Sequence, residues 1–577
     1  MLQIENLSKS YRLKDREIVA LKKISFATGP GEILGLVGKS GGGKSTLMKI
    51  LRGMEDFDSG RIIMDGITIT PDSPPEVKRE QMATTAIHLQ RDFALWTETA
   101  LKNVVRRVHS RITGYEVLPI PENSYYDEVY EEAMYYLRLV GLEKKAHHLA
   151  TILSGGEKQR LIIARQLAKK PRVLLLDEPA TMACPATKQE VLDAIKNVSR
   201  ELKLTIVVVS HLPEIHQYLA DRLIWLEQGE IVADGKPDEV LREFMAGIGE
   251  MTPLAAHPNA APLIKVRGLS KRGCLISTGE VLNVLLMKNL NLDINEGEIT
   301  SIIGSSGGGK TTLLKIMQGV RLPDEGSVSY RHEGRWVDIL AYSPDRMNVR
   351  RTLGVMYQEF ALFAGETIID QIAYQLGLKG KNVIEYARAI AEEQGISDRV
   401  LDAIYTMTDM SEEDAKAALE ALGLTRDIFK ELFPSFPSTE AQKFAEPLFK
   451  LLSLDSQVLW KLPEQLSGGE RVRASLAILL AARPSIVILD EPFGDIDPIT
   501  LREVSNAMKR INAELGTTIL LVSHHVDFVK EVSHRAILVE NGTILADGSP
   551  VQVCNAFLAS CNAPYLKYVE ERIAANG

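Results

Sequence analysis

No stretch of this chain offers about eighteen consecutive apolar residues, so nothing in it reads as a transmembrane helix. Docking on a membrane through another subunit stays open. Cysteine is scarce: Cys184, Cys274, Cys554 and Cys561 are the full set in 577 residues, and no two form a C-x-x-C pair. That argues against a disulfide framework and for a reducing, cytoplasmic setting. No lysine or arginine block occurs, and the formal net charge is −9. Broad nucleic-acid binding, which rests on a basic surface that neutralises phosphates, is therefore not expected. The opening Met1-Leu2-Gln3-Ile4-Glu5-Asn6 has no charged region followed by an apolar block, so no signal peptide is predicted. What remains is ordinary for a globular protein, with 45% hydrophobic and 25% charged residues over a length that fits several domain-sized units.

Against that plain background two glycine-rich stretches stand out. Gly38-Lys39-Ser40-Gly41-Gly42-Gly43-Lys44-Ser45 and Gly304-Ser305-Ser306-Gly307-Gly308-Gly309-Lys310-Thr311 each fit G-x-x-x-x-G-K-[ST]. In such a loop backbone N–H groups cradle phosphates at a helix N-terminus, and Thr46 and Thr312 extend the cradle into the helix. Each loop follows a short apolar run (Ile33 to Val37; Ile299 to Ile303) and opens a helix-like stretch (Leu47 to Leu51; Leu313 to Met317). One match alone has a plain alternative, a chance glycine turn. Two in matched context favour the phosphate cradle.

The halves read as one plan written twice. The fold expected is α/β, with two P-loop domains at 1–247 and 263–577 joined by a proline-bearing linker at 248–262. The glycine loops at Gly38 and Gly304 are offset by 266 residues, and the acid pairs at Asp177 and Asp490 by 313. The second half therefore carries about 47 extra residues, and the surplus falls after Gln358. Apolar spacing predicts helices there, over Val383 to Gln394 and from Ser411 to Leu422, within an insertion at about 375–460. A docking element for a partner and solvated padding are equally good accounts of it.

Val173-Leu174-Leu175-Leu176-Asp177-Glu178 and Ile486-Val487-Ile488-Leu489-Asp490-Glu491 describe buried parallel strands that deliver two carboxylates at their C-terminal edge. The first carboxylate of each pair suits Mg²⁺, and the second suits a water poised to attack a γ-phosphate. Leu153-Ser154-Gly155-Gly156-Glu157 and Leu466-Ser467-Gly468-Gly469-Glu470 each precede a helical stretch. Ser154-x-x-Glu157 is by itself a capping box, which is reason enough for a helix start. Repeated just ahead of the acidic strands, the pattern favours phosphate recognition by exposed N–H groups. His211 and His524 close two further apolar strands, and two in register favour a γ-phosphate contact over a structural role.

This ensemble resembles the ATP-binding-cassette ATPases, with two complete cassettes in one chain. The resemblance implies a RecA-like core, an antiparallel β subdomain and a helical subdomain in each half. It implies two composite ATP sites, because cassettes of this family close head to tail by intramolecular pairing here. The first site then combines Lys44, Ser45, Gln90, Asp177, Glu178 and His211 with Ser467, Gly468 and Gly469. The second combines Lys310, Thr311, Gln358, Asp490, Glu491 and His524 with Ser154, Gly155 and Gly156. Mg²⁺ would be held by Ser45, Gln90 and Asp177, and by Thr311, Gln358 and Asp490. Glu178, His211, Glu491 and His524 would be catalytic.

Departures between the halves predict unequal sites. Tyr11 stands where the family stacks an aromatic ring on adenine, whereas the second half has Gly273 there, so adenine binding is expected to be looser beside Lys310. Asp497, in a loop of the cassette interface, is matched by Cys184 in the first half. Packing is the expected role of Cys184, Cys554 and Cys561.

Finer stretches (Leu89 to Leu95, Ala164 to Lys169, Trp336 to Asp338, Tyr357 to Glu359 and Asp497 to Thr500) are similar to the tandem ATPases known as component A-two of the methyl-coenzyme M reductase system. That similarity implies a soluble activator acting on a methyl- or alkyl-coenzyme M reductase together with an iron–sulfur protein activation complex. The segment Arg61 to Met82 contains no cysteine, whereas that family carries a cysteine-rich insertion, so a paralogue with another client stays open. The alternative is an ATP-binding subunit for a membrane importer whose spanning subunits are separate chains.

Overall fold

Each half is built on a six-stranded sheet with a four-stranded sheet beside it. The computed structural model describes residues 2–13, 16–88, 95–180, 184–256, 261–277, 280–357, 362–493, 496–561 and 563–566. In the first half the large sheet runs in the order Glu230–Gly235, Arg222–Glu227, Ile33–Val37, Thr205–Val209, Val173–Asp177, Thr85–His88. All neighbours are parallel except the first pair. Ile33–Val37 and Thr205–Val209 are buried along their whole length, since helices cover both faces of a parallel sheet and leave no polar side to alternate with. The second half repeats this order with Leu353–Met356, Ile486–Asp490, Thr518–Val522, Ile299–Ile303, Arg535–Glu540 and Thr543–Gly548. The smaller sheets pair Leu2–Leu13 and Pro262–Ser277 with antiparallel neighbours.

In the first half, helices Ala100–Thr113 and Tyr126–Leu139 pack together and lead to Gly155–Leu167. Ile368–Lys379 and Ser438–Leu451 do the same ahead of Gly468–Leu480. The extra chain of the second half lies between that pair. Its helices Val383–Glu393, Asp398–Thr406, Glu412–Ala421 and Asp427–Leu432 close around an apolar core of their own, with Leu401, Tyr405, Leu419 and Leu432 inside. Ser411 caps the third of these by accepting from Asp414 N.

This small core is tied to the main domain by a buried charge cluster. Asp409 accepts from Lys379 Nζ at 2.5 Å and from Arg350 Nη1 at 3.1 Å. Arg350 also donates to the carbonyls of Gln318 and Gly319, and Tyr357 Oη lies 2.6 Å from both Gln318 Oε1 and Asp409 O. Tyr357 immediately precedes Gln358 in the sequence.

Two crossings brace the halves against each other. After helix Pro237–Met245 the chain runs over the second half, where Thr252 N donates to Asn506 Oδ1 and Lys509 Nζ donates to Thr252 O, both at 2.8 Å. At the other end, beyond helix Pro550–Ser560, Ala563 and Tyr565 are buried in the core of the first half. Tyr565 N donates to Gln189 Oε1 at 2.7 Å.

Candidate nucleotide sites

Both glycine loops sit at the C-terminal end of the central strand of their sheets, the edge at which ligands of open α/β sheets bind. Backbone sterics explain the glycines at their start. Gly38 and Gly304 have φ of 153° and 152°, and a Cβ on either would lie 2.0 Å from a carbonyl oxygen, of Leu226 and Val539 respectively. Gly43 and Gly309 turn left-handed and hand the chain to helices Lys44–Arg52 and Lys310–Met317. The first-turn N–H groups of each helix therefore face the loop.

The two lysines fold back over their own loops. Lys44 Nζ donates to Gly38 O at 2.6 Å and Lys39 O at 2.9 Å, and Lys310 Nζ donates to Gly304 O at 3.0 Å and Ser305 O at 2.7 Å. Burial lowers the pKa of each, opposed at Lys44 by Glu178, Asp497 and Asp177, and at Lys310 by Glu491, Cys184, Glu540 and Asp490. The second residue of each loop is also anchored, by different chemistry. Lys39 pairs with Glu227 at 3.5 Å, while Ser305 donates through N and Oγ to Glu540 at 2.7 and 2.6 Å.

The acid pairs lie where strand register puts them. Asp177 is opposite Val209 and Asp490 opposite Val522. Glu178 and Glu491 then turn left-handed, with φ of 51° in both. That conformation costs an L residue about 1–2 kcal/mol, and it is held by Glu178 N donating to Val209 O at 2.9 Å and Glu491 N to Val522 O at 3.0 Å. The histidines meet these glutamates: His524 Nε2 is 2.8 Å from Glu491 Oε1, and His211 Nε2 is 3.5 Å from Glu178 Oε1. Burial, helped by the Lys44 charge, lowers the His211 pKa to about 4, so its imidazole is neutral at neutral pH. At the second site Thr311 Oγ1 donates to Asp490 Oδ1 at 3.3 Å. Burial, reinforced by Glu491, raises Asp490 to about 6. Ser45 is exposed beside its loop, and Asp177 is raised by burial against the pull of Lys44 and Lys49.

Ser154 and Ser467 both make full capping boxes. Ser154 Oγ accepts from Glu157 N while Glu157 accepts from Ser154 N, and Ser467 and Glu470 repeat this. The helix-start account of these serines is therefore realised, and the other N–H groups of the first turn have no acceptor within their own helix. A Cβ on Gly468 would lie 3.0 Å from Ser40 Oγ, which sets the second half's glycines directly against the first half's loop. The reciprocal face is looser: a Cβ on Gly155 would meet nothing within 4 Å. There the first half touches the second loop through Cys184, whose N–H donates to Ser306 Oγ at 3.4 Å. Asp497 caps helix Pro498–Leu515 through Thr500 N at 3.0 Å, whereas Cys184 at the matching start of Pro185–Leu202 makes no side-chain cap. Cys184, Cys554 and Cys561 share one apolar cluster that spans the halves, as expected of packing residues.

Tyr11 is half-buried on its strand with Lys9 Nζ 5.2 Å from the ring centre. At Gly273 a Cβ would run into Leu286 Cδ1 at 2.7 Å, so an aliphatic side chain covers the second half's equivalent position. Gln90 and Gln358 lie outside the described residues. Among the described residues no group of three His, Cys, Asp or Glu side chains stands ready to hold a metal alone. Hydroxyl and carboxylate oxygens beside a phosphate cradle fit Mg²⁺, which takes one or two carboxylates and shares the rest of its shell with substrate phosphates and water.

A family model described as ABC transporter matches residues 21–181 and 287–494. The chain belongs to the ATP-binding-cassette family, with two cassettes in tandem. It is an ATPase that binds and hydrolyses ATP. An uncharacterised ABC transporter ATP-binding protein of Methanocaldococcus jannaschii is 45% identical over 573 residues, covering 98% of each chain. A second protein of the same description and organism is 33% identical over 588 residues, covering 96% of each. Among solved structures, the archaeal ribosome recycling factor aABCE1, in complex with the ribosomal stalk protein aP1, gives a TM-score of 0.53 at 20% identity. It covers 96% of this chain and 92% of that one, a likeness of fold alone.

Three features escaped the sequence reading. The Asp409 cluster joins residues 30 and 59 positions apart. The anchoring of Lys39 and Ser305 by Glu227 and Glu540 falls at matching places in the two halves, so aligning the halves would have exposed it. Lys188 was hidden among the polar positions of an amphipathic helix.

Proposed function

We propose that the two halves close on two ATP molecules and that this closing and opening drives a separate protein client. The close packing of Gly468 on Ser40, whose Oγ would lie 3.0 Å from a Cβ added at Gly468, supports shared sites most directly. Lys44 and Lys310 turn from their loop carbonyls to the β- and γ-phosphates. Ser45, Gln90 and Asp177, and Thr311, Gln358 and Asp490, hold Mg²⁺, which when bound neutralises charge on the phosphate oxygens. Glu178 and Glu491 accept a hydrogen bond from the attacking water, and His211 and His524 contact the γ-phosphate. Ser467, Gly468 and Gly469 cover one nucleotide, and Ser154, Gly155 and Gly156 the other. Loss of the γ-phosphate removes part of the joint, so hydrolysis becomes an opening motion.

Asp490 supplies a pH test. Its carboxyl is raised to about 6, so the nucleotide-free folded protein keeps a proton that the unfolded chain releases near 3.8. The stability this gives is present at low pH and is lost as pH rises through about 6. Mg²⁺ competes with the same proton. In a Lys44→Ala chain, which leaves the second site to be read alone, Mg²⁺–ATP affinity is expected to rise up to about pH 6 and level off above it. Calorimetric titration across that range checks this; a flat profile contradicts it.

For the client we infer a methyl- or alkyl-coenzyme M reductase with its iron–sulfur protein activation complex. Support comes from Leu89 to Leu95, Ala164 to Lys169 and Asp497 to Thr500, and from the fact that among the described residues no helix is long and apolar enough to cross a membrane. The description of the relatives as ABC transporter ATP-binding proteins favours a second reading, service to separate membrane subunits. Purification of the tagged chain without detergent from the native anaerobe is expected to bring down reductase and iron–sulfur proteins. Membrane permease subunits as the main partners would overturn the activator reading.

A further inference from the structure

A cavity of about 760 Å³ lies between the halves, apart from the glycine loops, and both His211 and His524 line it. Its volume is that of a pocket for a small organic ligand. Leu241, Ile496, Leu501, Phe528 and Tyr565 give it an apolar lining contributed by both halves. Two ammonium groups, Lys188 and Lys530, enter that lining, beside the carboxyl groups of Glu214, Asp238, Asp527 and Glu531. Lys188 is 5% exposed, and among the described residues no carboxylate lies within 4.0 Å of its Nζ and no side-chain hydrogen bond satisfies it. The other cations of the second half's wall are already engaged: Arg502 with Glu531 at 3.4 Å and Lys530 with Asp527 at 4.0 Å. Arg242 is exposed.

The internal repeat shows that the fold does not require this lysine. Helices Pro185–Leu202 and Pro498–Leu515 have equal length and open alike, and the fourth residue is Lys188 in one and Leu501 in the other. Leucine therefore suffices for packing, and lysine at a buried position costs desolvation that packing does not return. Burial lowers the Lys188 pKa against the opposing charges of Glu214, Glu178, Cys184 and Glu491. Glu214 lines the same cavity, but burial raises its carboxyl pKa and it makes no ion pair with Lys188, so an anion with an apolar body completes the site.

We propose that this cavity is a binding site for a small amphipathic organic anion, a carboxylate or sulfonate on an apolar body, with Lys188 as its charge partner. Because both halves wall the cavity, occupancy is coupled to closure of the nucleotide sites.

The test uses the full chain and 1-anilinonaphthalene-8-sulfonate, followed by fluorescence. One saturable site per chain is expected, displaced by decanoate and not by inorganic phosphate. Lys188→Leu, which installs the second half's own residue, is expected to weaken binding at least tenfold with an unchanged melting temperature. Lys188→Gln, which keeps length and polarity, is expected to do the same and serves if the leucine variant does not fold. Displacement by phosphate as effective as by decanoate would make the site one for product phosphate and overturn the proposal. Absence of saturable binding, or binding unaffected by either variant, would overturn it too.

Discussion

Replacing Glu178 or Glu491 with glutamine is expected to slow ATP turnover by about 10²–10⁴-fold, the usual worth of a positioned general base. Nucleotide binding is expected to persist, because the lysines, glycine loops and strand aspartates are untouched. Each glutamate is held in a left-handed turn at a strand end, with its carboxylate against a histidine. Glutamine fits the same turn and still accepts a hydrogen bond, yet it cannot take a proton.

The two variants are expected to differ in size of effect. Glu491 is bridged to His524 at 2.8 Å, whereas Glu178 stands 3.5 Å from His211 and accepts instead from Ser210 Oγ at 3.2 Å. Gly468 closes on the first loop while Gly155 leaves the second more open. Single-turnover hydrolysis with each variant reads this out. Equal losses and equal ATP affinities would count against unequal sites.

Removal of Asp409 is the second large effect. Arg350 is 0% exposed and Lys379 3%, and Asp409 is the carboxylate they share. Asp409→Ala strands two buried cations, which costs about 3–5 kcal/mol. That is a large part of the stability of a typical domain. A melting transition of the second half is expected to fall by about 6–20 °C. Tyr357 Oη lies 2.6 Å from the Asp409 backbone carbonyl, and movement of the segment around residue 409 is expected to break that contact and raise the Mg²⁺–ATP requirement of the second site. Replacing Arg350, Lys379 and Asp409 together by Met, Met and Leu is expected to recover most of the stability. A drop below about 1 kcal/mol for Asp409→Ala would show that water reaches the cluster and the cations are not desolvated.

The candidate sites were legible because their residue patterns are written locally. A glycine loop, a strand ending in two acids and a strand ending in histidine each need only neighbouring residues to be recognised, and repetition removed the chance readings. Asp409 had no such local mark: its partners come from helices far along the chain, and burial alone makes the trio consequential. The same holds for Tyr565, whose hydrogen bond to Gln189 spans 376 residues. Lys188 occupies a place where a helix pattern expects either a polar or an apolar residue, and only comparison with Leu501 marks it. The difference between Asp497 and Cys184 was visible by counting, but its consequence was not. One caps its helix with a carboxylate, and the other brings a backbone N–H to Ser306.

Head-to-tail sharing of the nucleotide sites is the central claim, and a cross-link tests it directly. A Cβ on Gly468 would lie 3.3 Å from Ser40 Cβ, near the roughly 3.5–4.5 Å Cβ separation of a disulfide. A chain carrying Ser40→Cys and Gly468→Cys, treated with mild oxidant in the presence of ATP, is expected to yield a tryptic peptide pair joining residues 40 and 468. Either single variant should yield none. Failure of the double variant to form that linked peptide with ATP bound would contradict the shared-site account.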